Sequence, residues 1–194
     1  MVYSKKTIGD IADVMIYTDG GWRTHGNTLT HPAEYYANWC EHNLGWENLV
    51  VDFNGTRTPG DMLGRTNYAS IDRDTLCSVK EFFEVLYMQR RFSRAALTTS
   101  RHWSSSYHLK HVIEKLRKKT GDGMGADENG WQRDGYVSNG EFIIGYVMFL
   151  ADFLLYDEKT IRKIIRNEPG PNVWCRLPAT FSALEAWLHE RRAI

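Results

Sequence analysis

The sequence predicts an α+β fold: a single helix-dominated domain with a small N-terminal sheet and a central apolar helix at about 138–155. Three observations carry that expectation. Ser138-Asn-Gly-Glu141 is a capping box, in which the serine hydroxyl accepts one orphan N–H of a helix start and the glutamate reaches back to another. The residues behind it are apolar on every side, among them Phe142, Ile143, Ile144, Tyr146, Val147, Met148, Phe149 and Leu150, and a helix without a polar face belongs in the middle of a domain. Two short apolar runs in the N-terminal part, at 14–17 and 49–53, stop at Asp19-Gly20-Gly21 and Asn54-Gly55, as strands do. Of the 194 residues, 42% are hydrophobic and 13% aromatic, which fills one core and is too apolar for a disordered chain.

The elements follow in chain order. After the first strand comes His31-Pro32-Ala33, where proline suits the first helical position because its missing N–H would be unpaired there anyway. Tyr35, Tyr36, Trp39 and Cys40 then share one face at helical spacing, predicting a helix over 34–42. The second strand, at 49–53, ends at a strong turn dipeptide. Ser78-Val-Lys-Glu81 reads as another capping box, so a helix is expected from there toward Leu97, with Phe82, Phe83, Leu86 and Tyr87 facing the core.

Ser104 or Ser105 caps the next helix, whose apolar stripe is Leu109, Val112, Ile113 and Leu116. Arg117, Lys118 and Lys119 close it and suit the negative end of its dipole. A glycine- and aspartate-rich loop at 121–130 precedes the central helix; its spacing does not fit an EF-hand. A short basic helix at 157–167 turns Ile161, Ile164 and Ile165 inward and is broken by Pro169-Gly-Pro171. Val173 to Leu177 reads as a short strand. Thr180 or Ser182 opens a last amphipathic helix carrying Leu184, Trp187 and Leu188. The whole is one domain, 1–194, with a mixed part over 1–77 and a helical part over 78–194.

Composition narrows the classes. Formal net charge is zero, so there is no global electrostatic case for a nucleic acid or membrane partner. The distribution is uneven: Lys80 to Lys119 gathers ten Lys or Arg against Glu81, Glu84 and Glu114. Such a run is either a solvated helix face or, if the charges share one side, a patch for a polyanion. Cys40, Cys77 and Cys175 form no Cys-x-x-Cys, and an odd count leaves one thiol free, which fits a reducing compartment. Met-Val-Tyr-Ser-Lys-Lys has no apolar stretch behind it, so no signal peptide is expected. The longest apolar run, 142–155, is interrupted by Gly145 and Asp152 and is too short to span a bilayer. A cytoplasmic location is expected.

Several residue sets are candidates for chemistry. Gly21-Trp-Arg-Thr-His-Gly26-Asn27 and Gly55-Thr-Arg-Thr-Pro-Gly60-Asp61 echo each other, each after a strand and an aspartate. Glycines let backbone N–H groups approach a ligand and arginine grips oxyanions in bidentate fashion, so Arg23 and Arg57 are candidate anion binders, although these are also ordinary turn residues. Asp19 and Asp52 end the two strands and are the candidate catalytic carboxylates, since paired carboxylates are what two-metal nucleases require. His108, His111 and Glu114 share a helix face, but no Cys pair or His-Glu-x-x-His pattern completes a metal site; no metal and no cofactor is expected, and His111 reads as a polar contact between helices. Cys40 with His42, or Cys175 with any histidine, is the weakest option, because residues two apart on a helix do not face each other. Arg90, Arg91, Arg94 and Arg101 lie in the basic segment beside Trp103. Arginines with exposed aromatics stack on bases or anchor partner proteins, so these five are the candidate binding residues; the alternative is that Trp103 merely packs over the helices.

At Ser106-Tyr-x-Leu-Lys-His111, Gly135-Tyr-Val-Ser-Asn-Gly-Glu-Phe-Ile143 and Gly170-Pro-Asn172 the chain resembles a group of uncharacterised proteins carried by phages, prophages and plasmids. The likeness spans residues 104–174 and departs by a longer glycine- and aspartate-rich insertion before Tyr136. It implies a mobile-element origin and an intracellular bacterial setting, and it implies no reaction.

The expected function is therefore that of an intracellular, mobile-element-encoded protein that binds a host protein or nucleic-acid complex and occludes or mimics it, for instance a component of host defence. The alternative from another class is a phosphate- or nucleotide-directed enzyme using the Arg-Thr loops with Asp19 and Asp52. A direct DNA binder acting through the 80–119 segment is the third reading, and salt would weaken it steeply.

Overall fold

A computed structural model describes residues 40, 50–52, 55–57, 71–88, 92–120, 134–167 and 171–178. The expected strand at 14–17, the loop at 121–130 and the last helix after Thr180 lie outside the described residues. So does the helix at 34–42 apart from Cys40, which is helical and buried. The described elements are β1 (Val50–Asp52), β2 (Gly55–Arg57), α1 (Arg73–Met88), α2 (Arg94–Thr99), β3 (His102–Ser105), α3 (Ser106–Thr120), α4 (Asn139–Met148), a π-helical turn (Phe149–Phe153), α5 (Glu158–Ile164), β4 (Ile165–Asn167) and β5 (Val173–Leu177). They make a helix-dominated α+β fold.

Helix α4 is the centre. Ser138 Oγ accepts the Glu141 N–H at 3.1 Å and Glu141 Oε2 accepts the Ser138 N–H at 2.8 Å, the reciprocal capping box expected from the sequence. Every residue from Asn139 to Leu150 is buried. Phe83 of α1 lies at the middle of the aromatic core, its ring 4.6 Å from Tyr146, 5.5 Å from Phe149 and 6.2 Å from Phe142. Each such side chain contributes roughly 1.5–3 kcal/mol by leaving water. The two helices approach closely because position 145 is glycine: a Cβ there would stand 2.7 Å from Val79 Cβ and 3.1 Å from Leu76 O.

The helix leaves α geometry at its end. Leu154 N–H bonds Phe149 O at 3.0 Å, and Tyr156 N–H bonds Leu150 O at 3.0 Å. The latter closes a Schellman-type stop around Leu155, whose φ of 52 is left-handed.

Three expectations about α1, α2 and α5 are corrected. The start of α1 is not Ser78. Asp72 caps it, with Oδ2 accepting the Thr75 N–H at 2.8 Å and the Thr75 hydroxyl at 2.6 Å, while Ser78 and Glu81 are buried inside the helix. The helix also does not reach Leu97: α1 ends at Met88, and α2 begins afresh behind Ser93, whose Oγ accepts the Ala96 N–H at 3.2 Å. Helix α5 begins behind Asp157 and ends at Ile164, after which Ile165–Asn167 are strand rather than helix.

The three-stranded antiparallel sheet, in the order β3-β5-β4, is built by the second half of the sequence, and the N-terminal part supplies the two-stranded β1-β2 hairpin. Gly55 opens β2 with a φ of 114, and its missing Cβ is required by Pro171 O. In the larger sheet Trp103 pairs with Arg176, Ser105 and Arg166 with Trp174, and Ile165 with Cys175. Alternation puts Ile165, Val173, Cys175 and Leu177 on the buried face. Tyr146 donates its hydroxyl to Arg176 O at 3.0 Å and so ties the central helix to β5.

Candidate binding face

The segments Ser106–His111, Gly135–Ile143 and Pro171–Asn172 meet in space. Ser105 Oγ accepts the Tyr107 N–H at 3.3 Å and starts α3, while Ser106 Oγ accepts the Val173 N–H at 3.1 Å. Asn139 Nδ2 donates to Pro171 O and, at 3.1 Å, to Asn172 Oδ1. The short stretch leading into α4 is held by side chains at each step. Arg117 donates to Tyr136 O at 3.2 Å, Glu114 accepts the Val137 N–H at 3.1 Å, and Lys110 donates to Val137 O at 3.1 Å.

Lys110 also donates to Glu114 at 3.1 Å, and its ammonium lies 5.2 Å from the Tyr107 ring centroid and 4.8 Å from that of Tyr136. Arg117 donates to Thr75 Oγ1 at 2.8 Å. His111 Nδ1 meets Glu114 Oε2 at 2.5 Å, the polar role expected of it, although the contact is within α3. The patterned residues thus make a buried polar knot, and buried charges persist when paired in this way.

That knot changes the reading of the 80–119 segment. Lys110 and Arg117 are 4% and 1% exposed, and Lys80 pairs with Glu84 at 3.0 Å. Arg117 therefore does not lie in solvent at the C-terminal end of α3. These cations face inward or toward a carboxylate, so the ten positive charges do not make one outward patch.

The outer face of the β3-β5-β4 sheet is different. By register it carries Trp103, Ser105, Trp174, Arg176 and Arg166. The Arg166 guanidinium lies 4.3 Å from the Trp103 ring centroid and that of Arg176 lies 4.7 Å away. Cation–π contacts at this range hold both side chains in place. Arg176 Nη1 also donates to Thr98 O, whereas the Arg166 guanidinium has the Trp103 ring as its one partner among the described residues. Trp103 and Trp174 are half-buried and Arg166 is exposed. None of the three strands contains a carboxylate.

Of the candidate binding residues, Trp103 takes this central place. Arg101 is exposed immediately before β3. Arg94, also exposed, donates to Leu154 O and lies 4.7 Å over the Tyr156 ring. Arg90, Arg91, Asp19 and Arg23 lie outside the described residues. Asp52 and Arg57 lie on the hairpin, opposite Gly55 and Val50 respectively; their side chains are outside what is described.

The partners of Trp103 that sequence reasoning missed are Arg166, Arg176 and Trp174. The signal for two of them was the alternation in Val173-Trp-Cys-Arg-Leu177, which sets Trp174 and Arg176 on one side of a strand. Arg166 carried no signal while 165–167 read as helix.

Among the described residues, no cluster of His, Cys, Asp or Glu is arranged to hold a metal, and no helix is long and apolar enough to cross a membrane. Cys175 is fully buried, and burial pushes its thiol far above its ordinary range; it packs as a small hydrophobe and is no nucleophile. Comparison with protein-family models, with curated proteins and with solved structures gives no match for this chain.

Proposed function

We propose that this chain acts by binding, as an intracellular protein of mobile-element origin that occludes or mimics a host protein or nucleic-acid complex, such as a defence assembly. The observation that carries the reading is the Trp103 indole with the Arg166 and Arg176 guanidinium groups stacked over it on the outer face of a sheet whose three strands contain no carboxylate. Tryptophan and arginine are the side chains that concentrate binding energy at interfaces, and a rigid sheet presents them with little ordering cost. The mobile-element resemblance supports a host-directed target in the bacterial cytoplasm.

Affinity capture from bacterial lysate, with and without nuclease, tests it when the wild type is compared with the Trp103→Ala/Arg166→Ala double variant. A partner retained by the wild type and lost by a variant of unchanged melting temperature is the expected outcome. Identical captured sets, or a variant that unfolds, would overturn the assignment of this face.

A further inference from the structure

We propose that the occupant of the Trp103 face is single-stranded nucleic acid, with bases stacking on Trp174 and on the guanidinium planes laid over Trp103, and phosphates held by the outward N–H donors of Arg166 and its neighbours. This rests on the binding reading above and narrows its partner.

Charge and chemistry point the same way. The three strands contribute two tryptophans, two arginines and a histidine and no acid. Helix α5 runs straight into β4 and extends the cationic side. Lys159, Arg162 and Lys163 are exposed and stand seven, four and three residues before the exposed Arg166. The acids along that segment are Asp157, Glu158 and Glu168. Of these, Asp157 is occupied in capping α5, accepting the Thr160 N–H at 2.8 Å.

The stacking geometry selects the ligand further. A guanidinium lying on an indole keeps its in-plane N–H donors directed away from the ring, and that planar fork matches phosphate oxygens. Arg166 has no carboxylate or carbonyl among the described residues to occupy those donors. Trp103 and Trp174 are diagonal neighbours across β3 and β5, because Trp103 pairs with Arg176 and Trp174 with Ser105. Diagonal positions stand about 7–8 Å apart, a spacing open to successive unstacked bases. A duplex hides its base faces and offers this surface phosphates alone, whereas a single strand offers both. An acidic protein surface would use the arginines and leave the Trp174 indole unused.

The test is fluorescence anisotropy of labelled oligo(dT) and oligo(rU) of about 12 nucleotides, within the span of a single-strand site, against a duplex of equal length. The single strands are expected to bind at least about tenfold more tightly than the duplex and to quench tryptophan emission. Their log affinity is expected to fall with log salt at a slope of about −0.7 per phosphate engaged. Trp103→Ala is expected to weaken binding by about tenfold or more. Arg166→Glu, at an exposed residue outside the core, is expected to weaken it as strongly with an unchanged melting temperature, which keeps the test valid if the tryptophan variant unfolds.

No single-strand binding at moderate salt, equal affinity for duplex, or binding indifferent to Arg166→Glu would overturn the proposal. If oligonucleotides fail while a Trp103-dependent protein survives nuclease in the capture experiment, this inference falls and the binding reading stands. If both fail, both fall.

Discussion

The backbone N–H of Asp72 donates to Glu141 Oε1 at 2.8 Å across a separation of 69 residues. The second oxygen of the same carboxylate accepts the Ser138 N–H at 2.8 Å. One fully buried glutamate therefore joins the starts of α1 and α4, and it pins the register of the two helices that form the core. Negative charge at two helix N-termini is favourable by the alignment of their dipoles.

Glu141→Gln keeps the shape and replaces one of these acceptors with a donor facing an N–H. The expected loss is about 2–3 kcal/mol, the cost of a buried donor left unsatisfied and of a weaker partner for the other. Ser138→Ala, which removes only the forward half of the box, is expected to cost about 1 kcal/mol. Urea denaturation of both variants checks the order; an equal or reversed ranking would mean that the bridge to Asp72 contributes nothing beyond the cap.

Gly145→Ala should destabilise by about 1–3 kcal/mol through overpacking, since the new methyl would meet Val79 at 2.7 Å. The telling measurement is the double variant. Val79→Ala alone removes buried volume and is also destabilising, yet together the two changes should be less harmful than their sum. Strict additivity in a denaturation cycle would show that the helices do not meet there.

Leu155 is 77% exposed and holds a left-handed φ of 52. For a residue with a Cβ that conformation costs roughly 1–2 kcal/mol, and Leu155 buries little in return. Leu155→Gly should therefore raise stability, by up to about 1 kcal/mol after the added entropy of the unfolded chain. A lower melting temperature would place the side chain in a contact that outweighs its strain.

Cys175 and Tyr146, both buried, weaken the fold in alkali. Burial pushes Cys175 up, and burial pushes Tyr146 up too, with smaller contributions from Cys175 and Tyr156. A group whose folded pKa is raised holds its proton more tightly in the native state, so its stabilisation is complete below the unfolded value and lost as pH rises past it. The decline should begin near the ordinary thiol value, about 8.5, and steepen near the phenol value, about 10. Cys175→Ala should reduce the first step and leave the second; a melting curve against pH that is unchanged in the variant would contradict this.

Asp157 behaves in the opposite sense. Its hydrogen bonds from Thr160, with help from Lys159 and Lys163, hold its carboxyl below the usual range. That stabilisation is present above the unfolded pKa and is lost as pH falls through the folded one. Asp157→Asn should be less stable than wild type at neutral pH and converge with it below about pH 4. A gap that persists in acid would assign the effect to side-chain shape instead of charge.

The central helix was legible because Ser138 and Glu141 satisfy a local rule and everything behind them is apolar. The same rule misled at Ser78 and Glu81. Both patterns look alike in one dimension, and what separates them is that Asp72 and Thr75 cap α1 one and a half turns earlier. The break after Ile164 was hidden for a different reason. Isoleucine is tolerated in both helix and strand, so Ile164-Ile165 fits either, and pairing of Ile165 with Cys175 decides for strand. That single switch carries Arg166 from a helix face to the side of Trp103. Contacts that depend on strand register, as all those of Trp103 do, are set by partners distant in sequence and leave little local trace.

Because β5 is the middle strand, β3 and β4 have no sheet to join until residues 173–177 exist. During synthesis the Trp103 indole and the Arg166 guanidinium emerge before the strand that aligns them, which brings Arg176 with it. A chain stopped before Val173 consequently carries Trp103 and Arg166 without the strand that sets them side by side.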